Sequence, residues 1–479
     1  MSHDQPVYVG IDLGTSAIKA VALDENRRVL ASARGGYPTA RPQPGAAEQD
    51  PRDWFAGLAS VLAEVAAAVP ARSWAGVGLS AMLPTLVELD ADGEPHGPAI
   101  TWEDSRAEAE ASVLRAEVGD DELYRITGQR VDGRYLAPMH ARLRGLGQDG
   151  ASVAGAKDVL FGELTGQLLT DPSTAAGFGV FDLRRGQWNP DLVAVTGLSG
   201  LPSVAPASTS LPIRACWSDR LGLPAGLPVV LGAADSVLGA LGVGAVDGGD
   251  VAVIAGTSAI VLGVSDALVL DGARRYLVTP LAGDGWGLEM DLLAVGSAFD
   301  WMAGLLGLSG PAALLDAATE VPLGEAPLFL PYLAPGEQGA LWDPELTGAL
   351  HGLRLGMGAR HIGRGLLTGV VTELRRCVDV LATTTGRRGP ILLGGGGAVS
   401  PVLWQDLADA TGREVRVDPL VRDHSALGAA LFAASSLGCP MTPGSGAMRS
   451  IAPRPSRFDE WAEIAERHDA VRRAQGVTR

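Results

Sequence analysis

The five residues Gly14-Thr15-Ser16-Ala17-Ile18 return as Gly256-Thr257-Ser258-Ala259-Ile260. A glycine followed by two hydroxyls at the tip of a turn can wrap a phosphate, because backbone N–H groups converge there and the side chains add donors. Gly-Thr-Ser is also ordinary turn sequence. The matching context is what points to a duplicated phosphate-binding device. A β-like run precedes each copy, Val7–Ile11 and Val251–Ala255, and another follows each, Lys19–Leu23 and Val261–Val264. The two copies differ in their company: Asp12 and Lys19 flank the first, and neither type flanks the second. A carboxylate beside a phosphate cradle repels the phosphate unless Mg²⁺ stands between them. Asp12 could instead pair with Lys19 across the hairpin.

Asp235 is the only ionisable residue between Leu221 and Val246. A lone carboxylate in an apolar stretch is costly without a partner or a task. It can cap the helix that the following apolar run predicts. As a general base it would accept the proton of an attacking hydroxyl. Both roles are compatible, since α/β folds place ligands where a strand ends and a helix begins. Trp102, Asp104 and Arg106 suit a sugar, with the indole stacking on a face and the charged groups bonding hydroxyls; Asp104 could equally cap a helix. Gly394-Gly395-Gly396-Gly397, at the end of the short apolar run Ile391–Leu393, permits close approach of a flat ligand. Gly145–Gly150 has the letters of a dinucleotide loop but follows an Arg-rich helical stretch instead of a strand, so it is set aside.

These residues need elements to hold them. N-terminal hairpins extend to about Ala33, and Trp54, Phe55, Leu58, Leu62 and Val65 recur at helical spacing. Gly76–Ser80 reads as a strand. Ser152–Thr170, Arg360–Ala382, Pro401–Ala410, Ser425–Leu437 and Phe458–Ala474 read as helices. The turn cluster Asp247-Gly248-Gly249-Asp250 is the best boundary. It separates a first domain at 6–246 from a second at 247–440, with a tail at 441–479. The second half repeats the order of the first, which predicts α/β architecture in two related halves with a cleft between them.

A chain of 479 residues is too long for one ordinary core, and 47% hydrophobic with 19% charged residues is a globular composition. The net charge of −17 argues against nucleic acid as a partner. Lysine occurs only at positions 19 and 157, with arginine supplying nearly all other positive charge. Cys216, Cys377 and Cys439 lack metal-ligand spacing and fit free thiols in a reducing cytoplasm. The N-terminus has no signal-peptide pattern, and the apolar stretch 221–246 is broken by prolines, glycines and Asp235, so no membrane span is expected.

Gly10-Ile11-Asp12-Leu13-Gly14-Thr15-Ser16, Gly232-Ala233-Ala234-Asp235, Gly256-Thr257-Ser258 and Gly394–Ala398 stand in the order found in the FGGY carbohydrate kinases. The chain resembles that family from about Val7 to Leu437. The resemblance implies two ribonuclease-H-like, actin-like ATPase domains closing on sugar and ATP. It implies Asp235 as the base and Asp12 as the Mg²⁺ holder, directly or through water. Gly14, Thr15, Ser16, Gly256, Thr257 and Ser258 would contact ATP phosphates, with Lys19 near the γ-phosphate. Gly296 and Asp300 would lie beside the nucleotide, and Gly396, Gly397 and Pro401 would line the adenosine. Met82, Leu83, Trp102 and Asp104 would sit near the sugar. A homodimer is compatible with this reading.

Ser80–Met82, Thr101–Arg106, Gly336-Glu337 and Leu341-Trp342 look like the gluconate kinases, and xylulose kinases carry similar stretches. The implied substrate is therefore a sugar acid such as gluconate or a ketopentose such as D-xylulose. Leu83 stands where both subgroups have His, Ala141 and Arg144 replace a Lys and a Trp, and Gln338 replaces an Arg. An actin-like nucleotide switch, or a family member that has lost activity, are the rival readings.

Overall fold

The computed structural model describes residues 5–334, 336–343, 345–396, 400–419, 422–441 and 448–474. Two compact units divide the chain. The first comprises Met1–Gly242, Val278–Trp286 and Asp423–Pro443, and the second comprises Val243–Leu277, Gly287–Arg422 and Gly444–Arg479.

The centre of the first unit is a sheet of β1 (Val7–Leu13), β2 (Ala17–Asp24), β3 (Val29–Gly36), β4 (Trp74–Ala81) and β5 (Pro228–Ala234), with Ser210–Pro212 on its edge. The order is β5-β4-β1-β2-β3; β1, β2 and β3 form antiparallel hairpins, while β4 and β5 run parallel to β1. All seven residues of β1 are buried, as expected of a strand covered on both faces. The helix Pro51–Ala68 covers part of this sheet. Asp50 caps it by accepting from the Arg52 N–H, Pro51 opens it, and Trp54, Leu58, Val61, Leu62 and Val65 form its buried stripe.

The helix His424–Ser436 packs on the same sheet although nearly 200 residues of chain intervene after Asp235. Its backbone lies so close that a Cβ at Gly10 would run into the Ala426 carbonyl oxygen, and one at Gly78 into that of Ala429. Only glycine on the strands and alanine on the helix allow that spacing. A second sheet of this unit joins the strands Glu48–Gln49, Ala99–Thr101, Thr85–Leu89 and Ser152–Gly155. The stretch Ser152–Thr170, expected to be helical, thus begins as a strand. Helix starts only at Ala156, where Asp158 reaches back to the Gly155 N–H at 2.9 Å.

The second unit repeats the arrangement. β6 (Val251–Ala255), β7 (Ala259–Ser265), β8 (Trp286–Leu292), β9 (Ile391–Gly394) and β10 (Val415–Val417) lie in the order β8-β7-β6-β9-β10, the counterpart of β3-β2-β1-β4-β5. β6 pairs antiparallel with β7 and parallel with β9. The 27-residue helix Ala359–Thr385 crosses this unit and ends at Gly386 in the left-handed conformation. The helix Phe458–Ala474 is tied to it by Asp469, which pairs with Arg376 at 2.6 Å, and to the strand Leu328–Leu330 by His468, which bonds the Phe329 carbonyl at 3.0 Å. Among the described residues, no helix is long and apolar enough to cross a membrane.

Candidate active site

In the first unit three parallel strands end level with one another. Leu13 of β1 stands opposite Ala81 of β4, and Ala81 stands opposite Ala234 of β5. Adjacent strands are about 4.8 Å apart. The residues just past these ends, Gly14-Thr15, Met82-Leu83 and Asp235, therefore share one edge of the sheet, where α/β folds bind ligands.

Asp12, just below the edge, is buried. Its carboxylate pairs with Lys19, its cross-strand partner, at 3.0 Å and accepts from the Ser80 hydroxyl at 2.9 Å. Asp12 beside it holds the Lys19 ammonium above the usual lysine value, against the opposing pull of burial. An added Cβ on Gly14 would lie 3.2 Å from Lys19 Nζ, so the cation sits against the hairpin tip. The tip is strapped by side chains from elsewhere. The Tyr37 hydroxyl donates to the Gly14 carbonyl, Gln49 Nε2 to the Thr15 carbonyl at 2.7 Å, and Trp102 Nε1 to Thr15 Oγ1 at 3.0 Å. The N–H groups of Thr15 and Ser16 donate to no described residue, which leaves two donors at the tip.

Asp235 opens the helix Asp235–Val243 and is half-buried. Its Oδ1 accepts from the Ser236 N–H at 2.8 Å, and its carbonyl accepts from the Ser425 hydroxyl at 2.9 Å. A buried ionic brace fixes the strand behind it. The Ser173 hydroxyl accepts from the Ala234 N–H at 2.9 Å and donates to Asp171, which pairs with Lys157 at 3.1 Å. Lys157 also donates to the Leu231 carbonyl at 3.3 Å, and burial pushes the neighbouring Asp158 carboxyl up to about 6. Sequence reasoning did not assign this brace. Its available signal was that one of only two lysines sits at the start of the helix Ala156–Thr165.

The expected sugar-side residues divide. Trp102 is tied to Thr15, so it belongs to the edge. Leu83 packs against the apolar cluster of Ala233, Ala234, Val237 and Leu238 that surrounds Asp235 in sequence. Met82 is 2% exposed and joins the core beneath. Asp104 is likewise 2% exposed: Oδ2 accepts from the Ala47 N–H at 2.9 Å, and Arg106 pairs with it at 2.7 Å. Its carboxylate thus braces the loop that carries Trp102. Of the departures from the family pattern, Ala141 and Arg144 lie on the helix Leu136–Gly145 and Gln338 is buried.

In the second unit the equivalent tip is held by main chain. Val295 and Ser297 N–H groups donate to the Thr257 carbonyl at 3.1 Å each, and the Gly296 N–H to that of Gly256 at 3.0 Å. The helix Gly296–Leu305 therefore starts directly on the hairpin, and a Cβ at Gly296 would clash with the Gly256 oxygen. Gly256 and Thr257 are exposed and Ser258 is half-buried. Gly395, with φ at 90°, turns the chain after β9 against the Ala255 carbonyl, and Gly396 beyond it is exposed. Pro401 opens the helix Pro401–Thr411, and Asp300 is exposed on the helix Gly296–Leu305. Gly397 lies outside the described residues. β6, the hairpin tip, Gly296 and Gly395 thus converge on one end of the second sheet.

Mg²⁺ is commonly bound by one or two carboxylates together with phosphates and water. Asp12, a single carboxylate beside a phosphate-type tip, fits that donor set. Among the described residues no group of three side chains forms a complete metal cage.

The N-terminal domain model of the FGGY family of carbohydrate kinases matches residues 7–242, and its C-terminal domain model matches residues 251–437. The chain belongs to the FGGY carbohydrate kinases. This FGGY kinase is 28% identical over 457 residues to the gluconokinase of Bacillus subtilis (strain 168), covering 90% of the chain and 87% of the relative. It is 31% identical over 423 residues to the xylulose kinase of Klebsiella pneumoniae, covering 85% and 86%. Its fold matches the crystal structure of gluconate kinase from Lactobacillus acidophilus with a TM-score of 0.92, at 24% identity and covering 99% of each chain. The two sheets are accordingly ribonuclease-H-like, actin-like domains, and the activity is ATP-dependent transfer of a phosphoryl group to an alcohol.

Proposed function

We propose that this FGGY kinase phosphorylates a hydroxyl of a small sugar acid such as gluconate or of a ketopentose such as D-xylulose, with Asp235 as general base and Mg²⁺ as the metal. The supporting observation is the common level of the three strand ends, which sets Asp235 on the same edge as the Asp12–Lys19 hairpin. Phosphoryl transfer needs alignment and charge stabilisation more than covalent help from the protein. Asp235, fixed by the Ala234–Ser173 contact, would take the proton from the acceptor hydroxyl as its oxygen attacks phosphorus. The leaving oxygen stays with ADP. Lys19 and the free N–H groups of Thr15 and Ser16 would meet the charge on the transferring phosphoryl. Asp12 would hold Mg²⁺, directly or through water; the ion would neutralise phosphate charge when bound.

On the nucleotide side, Gly256, Thr257 and Ser258 would contact phosphates. Gly296 and Asp300 would sit beside the nucleotide, and Gly396, Gly397 and Pro401 would line the adenosine. Met82, Leu83, Trp102 and Asp104 would shape the sugar side, the buried Met82 and Asp104 by supporting the wall instead of touching the ligand. Unbridged Cys216, Cys377 and Cys439 fit a reducing cytoplasm.

An ADP-coupled assay across sugar acids, ketopentoses and polyols tests the substrate class. Replacing Asp235 tests the mechanism. Asp235→Ala should retain ATP binding and lose turnover by roughly 100- to 10,000-fold, the range for a positioned acid or base. Near wild-type turnover in that variant would overturn the assignment.

A further inference from the structure

The two-residue strand Glu48–Gln49 has a different task on each face. Gln49 bonds the hairpin tip, as described above. Glu48, pointing the other way by strand alternation, lines a separate cavity of about 620 Å³ in the first unit. None of Asp12, Thr15, Met82, Trp102 or Asp235 contributes to its wall. The volume is that of a small-molecule pocket.

Ile100, Met139 and Leu143 contribute apolar lining to the cavity. Its charged lining residues are Glu48, Asp104, Arg106 and Arg142. Arg106 is satisfied: it pairs with both Asp104 and Glu48 at 2.7 Å. The Arg142 guanidinium makes no hydrogen bond or ion pair with any described residue. A half-buried guanidinium facing a cavity without a carboxylate partner presents a fork of donors matched to an anionic ligand. Glu48 and Asp104 limit the ligand's charge, because a dianion would be repelled by the two carboxylates in the same wall. Glu48 can still accept a hydroxyl.

We propose that this cavity is a second small-molecule site, for a hydroxy-carboxylic monoanion. The carboxylate would rest on Arg142, the hydroxyl on Glu48, and an apolar body against Ile100, Met139 and Leu143. Asp104, whose carboxylate braces the loop of Trp102, also lines the cavity, but Asp12, Thr15, Met82, Leu83, Trp102 and Asp235 do not.

Mandelate, a hydroxy acid with an apolar ring, is a suitable probe, and mandelamide is its uncharged counterpart. Binding of each to the whole protein is measured by saturation-transfer NMR titration, with Asp235→Ala as a second host. Mandelate should bind both proteins alike, and mandelamide about tenfold or more weakly, as expected for loss of a charge-assisted contact. Arg142→Gln should weaken mandelate to the same degree while sugar phosphorylation is unchanged. Absence of mandelate binding, equal affinity for acid and amide, or full binding by Arg142→Gln would each overturn the proposal. The acid–amide comparison needs no variant, so it holds even if Arg142→Gln folds poorly.

Discussion

The two Gly-Thr-Ser-Ala-Ile hairpins share five residues and are held in different ways. The first is gripped by side chains that arrive from distant positions, Tyr37, Gln49 and Trp102, and carries its own Asp12–Lys19 pair. The second is gripped mainly by backbone, with the start of the helix Gly296–Leu305 donating to its carbonyls and the Ser297 hydroxyl adding one bond to that of Thr257. An identical tip can therefore serve two duties when its surroundings differ. A tip with a carboxylate, an ammonium and free N–H groups suits the phosphoryl in transit. A tip docked on a helix start, next to a glycine turn, suits the part of a nucleotide that stays behind.

That contrast can be broken by substitution. The largest effect is expected at Asp12. Asp12→Ala should lower turnover on the order of 100-fold, the typical loss for one preorganised electrostatic group. Thr257→Ala, in the acid-free hairpin, should cost no more than about tenfold, the worth of one hydrogen bond. Steady-state kinetics on both variants checks the ranking, and equal losses would abolish the division of duties. Next comes the glycine that lets main chain meet main chain. Gly296→Ala should destabilise the protein by about 1–3 kcal/mol, as for an overpacked site. Gly14→Ala should cost less, because its added Cβ first meets the flexible end of Lys19 at 3.2 Å. Urea unfolding of the two variants decides it, and a larger loss at Gly14 would reverse the comparison. The smallest effect is at Trp102. Trp102→Phe removes one donor to Thr15 and should raise the KM for ATP by roughly two- to tenfold, since a single hydrogen bond is worth about 0.5–1.5 kcal/mol. No change would mean that the tip holds its shape without that strap.

Much of this was legible from local pattern. The hairpins, the place of Asp235 between strand and helix, and the helix Phe458–Ala474 follow from turn chemistry and apolar spacing, which act over a few residues. What stayed hidden depends on long-range partners. Nothing in the run Ser425–Leu437 says that it packs on β1 and β4, although glycines inside both strands are the mark of a backbone brought close. Ser152–Gly155 was read as helix because four small residues before an apolar helical run carry no decisive period. Met82 and Asp104 resembled ligand contacts in type and position. Their burial depends on Leu13 and Ala47, which the linear order separates from them. The brace Lys157–Asp171–Ser173–Ala234 joins residues more than 70 positions apart, and only its rare lysine showed in the chain.

That rarity of lysine has a practical consequence. Lys157 is 1% exposed, and Lys19 is 22% exposed at the hairpin tip. Apart from the amino terminus, an amine-directed acylating reagent thus meets a single reachable side chain, and it is the one set beside the first Gly-Thr-Ser. Labelling stoichiometry, read by intact mass, becomes a footprint of that tip. Conversely, tethering through lysine would anchor the molecule by its first hairpin tip instead of its outer surface.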